Sequence, residues 1–222
     1  YYNQDNYADG MFLLDHYVES YDVKKNIHSA YAEATYQLTR RFTANLGLKY
    51  DNVDMKVGYN VNRNSTKGDQ EIKENYFLPS LNLRYDITED HALRLAASKT
   101  YTLPQSKEIS PYRYVSVSFK SQGNPDLKPS DNYNIDLKWD WYLSPSELLS
   151  VTGFYKYIKN PISRIEVASA GGYLSYQNIS DHATAAGVEG ELKKQIFPRK
   201  FQSGGLSRLS FGGNGTNTLT RA

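Results

Sequence analysis

The chain has 222 residues, 39% of them apolar and 23% charged, with 26 basic against 24 acidic side chains and a formal charge of +2. So even a balance gives no broad field for nucleic acid, and the absence of cysteine excludes disulfides, thiolate metal sites and a cysteine nucleophile. A mean hydropathy of -0.65 suits a soluble domain, but it suits equally a strand that shows lipid at every second residue and a polar lumen at the others. No stretch approaches the roughly 20 consecutive apolar residues of a membrane helix, whereas 20 Tyr, 8 Phe and 2 Trp favour strands.

In chain order, Ala30, Ala32, Ala34, Tyr36 and Leu38 alternate with Ser29, Glu33, Thr35 and Gln37. Phe42, Ala44, Leu46, Leu48 and Tyr50 then oppose Thr43, Asn45, Lys49 and Asp51. Phe77, Leu81, Leu83, Tyr85 and Ile87 oppose Ser80, Asn82, Arg84 and Asp86, and Leu93, Leu95, Ala97 and Tyr101 oppose Arg94, Ser98 and Thr102. The clearest run is 131–143, where Tyr133, Ile135, Leu137, Trp139, Trp141 and Leu143 alternate without a break with Asn132, Asn134, Asp136, Lys138 and Asp140. Such a run exceeds the usual globular strand and matches the roughly 9 to 11 residues that cross a membrane as a tilted strand. Leu149, Val151, Tyr155 and Tyr157 form the next strand, and a weaker one surrounds Val188, Gly190 and Leu192, for about nine strands in all.

The connections alternate as well. Residues 39–41, 88–90, 144–146 and 197–200 read as tight turns, and 60–74, 104–129 and 160–172 as long loops. Short on one side and long on the other is the asymmetry of outer-membrane barrels. Trp139 and Trp141 stand beside a short turn and Tyr101 and Tyr133 beside the longest loop, so these four are expected as interface aromatics. Two residues strain the pattern. Lys99 falls on the lipid-facing register, which requires snorkelling or a bulge, and Pro79 lies inside a strand, which requires a bulge or a place near the outer rim.

Three segments carry a family resemblance: Leu78-Pro79-Ser80-Leu81-Asn82-Leu83-Arg84-Tyr85, Ala92-Leu93-Arg94-Leu95-Ala96-Ala97-Ser98-Lys99-Thr100-Tyr101, and Gly123-Asn124-Pro125-Asp126-Leu127-Lys128-Pro129-Ser130. In that order they resemble the C-terminal half of TonB-dependent receptor barrels. Phe154 to Ile162, Tyr176-Gln177-Asn178 and Gly187 to Leu192 continue the likeness. The resemblance implies an all-β, antiparallel transmembrane barrel, present here in part as about nine strands of an expected 22. It implies active import of a scarce nutrient such as an iron chelate, a glycan or a peptide. The expected partners are outer-membrane lipid, a TonB-type energy-coupling protein acting through a plug, and a surface lipoprotein. Residues 1–222 show no plug, no coupling peptide and no export signal, and Ala222 is not the usual terminal aromatic, so the sequence reads as a fragment of the barrel domain. Within the resemblance, Gly123, Asn124, Pro125, Leu127 and Pro129 form a structural motif: glycine and prolines fix a rigid turn, and Asn124 can bond its own backbone. A passive porin or adhesin barrel, and a secreted glycan-binding β-sandwich, are the rival readings.

Enzymatic chemistry finds no support. His16, His28, His91 and His182 share no metal spacing, so neither a metal nor a cofactor is expected. Glu189 with Glu191, and Asp136 with Asp140 around Lys138, suit a hydrated ladder on a lumen wall better than an acid/base pair. The Asn64, Asn178 and Asn214 sequons are short enough to arise by chance. For ligand contact the candidates are Tyr112, Arg113 and Tyr114, because aromatic faces and a guanidinium bind sugars, chelates or peptides; the plainer reading is a loop packed on its neighbours.

Overall fold

The computed structural model describes residues 20–61, 66–111, 113–115, 120–168, 172–200 and 206–221. Its long strands are β1 (Ser20–Thr39), β2 (Phe42–Val61), β3 (Thr66–Asp86) and β4 (His91–Thr102). A loop carrying one helical turn, α1 (Ser106–Ile109), and the short strands β5 (Arg113–Val115) and β6 (Lys120–Gln122) leads to β7 (Ser130–Ser144) and β8 (Glu147–Lys159). The loop strands β9 (Ile162–Val167) and β10 (Tyr173–Asn178) precede β11 (His182–Lys200) and β12 (Leu206–Arg221). Eight of these form one antiparallel sheet in the order β1-β2-β3-β4-β7-β8-β11-β12; the loop strands form a second, β5-β6-β10-β9. The wall therefore has eight strands among the described residues, where the alternation suggested about nine.

Register puts the alternating faces in line. Leu46 faces Leu81, Leu83 faces Leu95, Leu95 faces Leu137 and Ile135 faces Tyr155, so one side of the sheet is continuously apolar. On that side Leu46, Phe77, Ile135, Leu137 and Val188 remain 48% to 62% exposed. An apolar surface of this extent is not tolerated against water and fits a hydrocarbon boundary. Aromatic rings edge it at both ends. Near the short turns His91 stacks on Trp139 at 5.6 Å and on Trp141 at 5.5 Å, with Phe42 by Tyr85 at 6.4 Å. Toward the long loops Tyr133 lies 6.1 Å from Tyr157, which stacks on His182 at 5.4 Å. Trp141 and Tyr133 are eight residues apart on β7, about 27 Å along the strand and about 21 Å after a tilt of some 40°. That height suits a membrane band.

Two expectations need correction, and two alternatives are decided against a bulge. Residues 60–74 are not a long loop: β2 and β3 stay paired until Val61 meets Thr66. The residues there look loop-like because their outward side chains face water, while their inward ones have a core to join. Residues 197–200 belong to β11, which absorbs Phe197 and Pro198 through a register shift between Gln195 and Phe197. At Pro79 neither ladder shows a bulge. The β3–β4 pairing ends at Ser80 facing Ser98, and Pro79 is the first residue beyond it, where no ladder N–H is needed on that side. Lys99 keeps its register opposite Tyr133. Its ammonium lies 3.3 Å from Asp131 and 5.5 Å from the centre of the Tyr133 ring, so a carboxylate and an aromatic face meet the cation at the rim.

The inner face changes character with height. Beside the apolar band it carries Asn45, Asn82, Arg84, Arg94, Asn134 and Lys138; beyond Asp51 the same parity of β2 supplies Val53, Met55 and Val57. These three join Ile72 and Tyr76 of β3 in a buried cluster completed by Ile109 of α1 and Leu127 of the loop. Each such side chain contributes about 1.5 to 3 kcal/mol of burial. The long loop between β4 and β7 is thus folded inward and packed on the upper wall.

Candidate functional site

The site begins with how this inward loop is moored. Gly123 passes so close to α1 that a Cβ there would collide with the Ser110 carbonyl oxygen and stand 2.8 Å from that of Lys107. Next in the chain, the Asn124 N–H donates to the Glu108 carbonyl at 2.6 Å, and the Asn124 side-chain oxygen accepts from the Asp126 N–H at 3.0 Å. The Asn124 amide donates across to the Tyr176 carbonyl at 2.9 Å. Leu127, 2% exposed, enters the buried cluster.

A second asparagine fastens the two long loops to each other. Asn178 accepts from the Lys128 N–H at 2.9 Å and donates to the carbonyls of Lys128 at 3.1 Å and Asn160 at 2.8 Å. Ser130 also donates to the Asn160 carbonyl, at 2.7 Å. Asn160 itself adopts φ 51°, a left-handed turn that asparagine tolerates. With its side chain so used, Asn178 is a hinge-pin of the fold. Asn64 lies outside the described residues, as does the side chain of Asn214.

Below the moored loop, Tyr101 donates from its hydroxyl to Asp51 at 2.9 Å and stacks on Tyr76 at 3.9 Å. Lys49 donates to the same carboxylate oxygen at 2.9 Å, and Asp51 is 1% exposed. Tyr101 thus turns its polar end into the chain, unlike Tyr133, Trp139 and Trp141, which stay on the apolar side. Above, on the outward side, the Lys73 ammonium donates to Glu71 at 2.8 Å, which holds that carboxyl below its ordinary range. A carboxyl lowered in the folded chain contributes stability above its ordinary value of 4.5 and loses it as the pH falls further. Exposure to water keeps that contribution small.

Lower on the lumen side the polar wall forms a ladder of charge. Arg94 pairs with Asp140 at 2.9 Å and donates to the Tyr142 hydroxyl at 2.9 Å. Lys138 bridges Asp140 at 3.6 Å and Glu191 at 3.7 Å. This places Asp136, Asp140, Glu189 and Glu191 on one wall, with Asp140 and Glu191 as counter-ions of Arg94 and Lys138, and among the described residues no group of three His, Asp or Glu could hold a metal ion. His28 is exposed, His91 and His182 are stacked on rings as described above, and His16 lies outside the described residues. Two shallow hollows line this wall, about 420 Å³ beside Lys138, Ser150 and Glu191 and about 350 Å³ beside Asn82, Arg84 and Arg94.

Of the loop trio, Arg113 is exposed and its guanidinium lies 6.0 Å from the centre of the Tyr173 ring. Arg113 pairs with Gln122 across the small sheet. Tyr112 and the side chain of Tyr114 lie outside what is described. Tyr173 and Asn178 escaped the sequence reading as site residues: both act across some 50 or more positions, and only the Tyr176-Gln177-Asn178 string hinted at one of them.

The chain matches the family described as TonB dependent receptor-like, beta-barrel, over residues 1–221. No curated protein matches it. Among solved structures it is similar to the siderophore receptor PirA from Pseudomonas aeruginosa, at 16% identity and a TM-score of 0.59, covering 89% of this chain and 43% of that one. The ferric yersiniabactin uptake receptor FyuA from Yersinia pestis gives 18% and 0.61, covering 91% and 28%, and the copper transporter OprC gives 15% and 0.62, covering 79% and 27%. At such identities the likeness is one of fold, and the chain spans less than half the length of each. The match along its whole length, the eight-stranded lipid-faced wall and the alternation of short turns with long loops lead to one conclusion: the chain belongs to the TonB-dependent receptor family and is a segment of its outer-membrane β-barrel.

Proposed function

We propose that the chain is the wall and mouth segment of an energy-coupled outer-membrane importer, and that its ligand is an anionic metal chelate. The observation that supports this is the inward loop. Packed on Val53, Met55 and Val57 and tied by Asn124 and Asn178, it narrows the mouth and holds Arg113 over Tyr173 on the small sheet. A loop fixed at the mouth gives a receptor a preformed contact surface. Arg113 supplies a permanent charge with forked donors, and Tyr173 an aromatic face, a pair suited to carboxylate or phenolate oxygens on a planar ligand. Siderophore and metal uptake among the similar structures agrees with a chelate. Coupling to a TonB-type protein through a plug, in a barrel of 22 strands, belongs to the same proposal.

The test is uptake by cells carrying the full-length protein, with and without the energy-coupling partner, on a panel of labelled ferric and cupric chelates. Uptake is expected only with the partner; equal uptake without it would establish a passive channel instead. Arg113→Ala is expected to weaken chelate binding by about 1.5 to 3 kcal/mol, the range for a charged hydrogen bond, and Tyr173→Phe to leave it near the parent value. Unchanged binding in Arg113→Ala would remove this residue from the site.

A further inference from the structure

Toward the long loops, the wall has an open seam between β3 and β4. Their last ladder pair is Ser80 with Ser98, although β4 runs on to Thr102. Tyr101, three residues past that pair, spans the seam: its hydroxyl donates to Asp51 Oδ2 at 2.9 Å, and its ring stacks on Tyr76 at 3.9 Å with the planes 7° apart. Tyr76 lies in the buried cluster with Ile109 and Leu127, and Tyr101 packs against it. The contacts that close the seam therefore also floor the inward loop. The same Asp51 oxygen accepts from the Lys49 ammonium at 2.9 Å. The two partners differ in access: the Asp51 side chain is 2% exposed and that of Lys49 48%. Lys49 stands two residues lower on the lumen face, in register with Tyr31 of β1 and Leu78 of β3. The end of this chain of contacts that opens to the lumen is thus the cation that balances a buried carboxylate.

We propose that Lys49, Asp51 and Tyr101 form a latch through which an anion in the lumen releases the inward loop. An anion that draws Lys49 away leaves the Asp51 charge buried without its counter-ion, a costly arrangement. Water entering the seam relieves it. That water separates Tyr101 from Asp51 and wets the cluster beneath Ile109 and Leu127, so the loop loses its floor. Lumen charge and loop closure then share one equilibrium, and the coupling runs both ways: a closed loop holds Lys49 on Asp51 and weakens its grip on the anion. An anion that has passed the mouth thereby resets it for the next. The latch needs an anion below the loop; it does not depend on that anion being a metal chelate or on Arg113 binding it.

Full-length protein in detergent is followed by hydrogen exchange at the Glu108, Ile109, Ser110, Asn124 and Leu127 amides, all bonded within the loop. Citrate is the added anion, and chloride at equal ionic strength is the control. Citrate is expected to speed exchange in the parent about fivefold or more, and chloride to leave it unchanged. Lys49→Met is expected to exchange about tenfold faster with no anion added, and Lys49→Arg to match the parent. Removing both charges, Lys49→Met with Asp51→Asn, should bring protection back to within about threefold of the parent and abolish the citrate response, a rescue that a space-filling role for Lys49 does not give. Folding of each variant is checked by heat-modifiable gel migration. If Lys49→Met alone fails to fold, the citrate response of the parent against that of the double variant decides the matter. Parent-like protection in folded Lys49→Met, an equal citrate response in the double variant, or a parent loop indifferent to citrate would overturn the latch.

Discussion

Gly123→Ala is expected to release the inward loop from the wall at a cost of roughly 2 to 4 kcal/mol in local stability. The added methyl has nowhere to go. Its obstacles are the Ser110 and Lys107 carbonyls, which are backbone atoms of the turn around α1 and cannot swing aside as a side-chain end would. Moving the chain outward breaks the 2.6 Å bond from the Asn124 N–H to Glu108 and draws Leu127 out of its buried position. Hydrogen exchange over residues 104–129 is the measurement: amides in that loop should exchange much faster, while those of the lower strands keep their protection. Parent-like exchange in the loop would show that the close approach is dispensable.

Asn178→Ala should be the next most damaging change, at about 2 to 3 kcal/mol, because it removes one accepted and two donated bonds and leaves the Lys128 N–H without its partner. Asn178→Asp separates the contributions: it keeps the acceptor for Lys128 and loses both donations, so it should fall between alanine and the parent. Ser130→Ala removes the other donor to the Asn160 carbonyl. Because the two side chains share that acceptor, the double variant should depart from additivity by about 0.5 kcal/mol or more. Strict additivity, read from the thermal unfolding of the four proteins, would mean that the two long loops are not joined there.

The strands within the membrane could be read from the sequence because one physical rule governs them: lipid on one side, lumen on the other, one choice per residue. Residues 132–141 obey it without a break, and β7 spans Ser130–Ser144. Above the membrane the rule reverses. At Asp51 the inward face of β2 is still polar, and at Val53 it becomes apolar, because there the neighbour is a folded loop and no longer water. A pattern tuned to lipid sees this stretch as irregular, which is why 60–74 was expected to be a loop. The site was less legible for a related reason. Arg113 is visible as a charge between tyrosines, but the ring it covers is Tyr173, brought near only by the pairing of β5 with β6 and of β6 with β10. Gly123 and Asn124 announced a turn; that the turn would be pinned to α1 and to Tyr176 depends on the packing of distant segments.

The small sheet joins β6 to β10 by a single parallel pairing, Ser121 with Leu174, and these strands come from different loops. Asn124 on Tyr176 and Asn178 on Lys128 rivet the same two segments a few residues further along. The loop after β4 and the loop after β8 therefore have no independent freedom: lifting either tears bonds in the other. Mechanically they amount to one leaf with two hinges, at the tops of β4 and β7 on one side and of β8 and β11 on the other. A ligand pressing on Arg113 would load all four strands together.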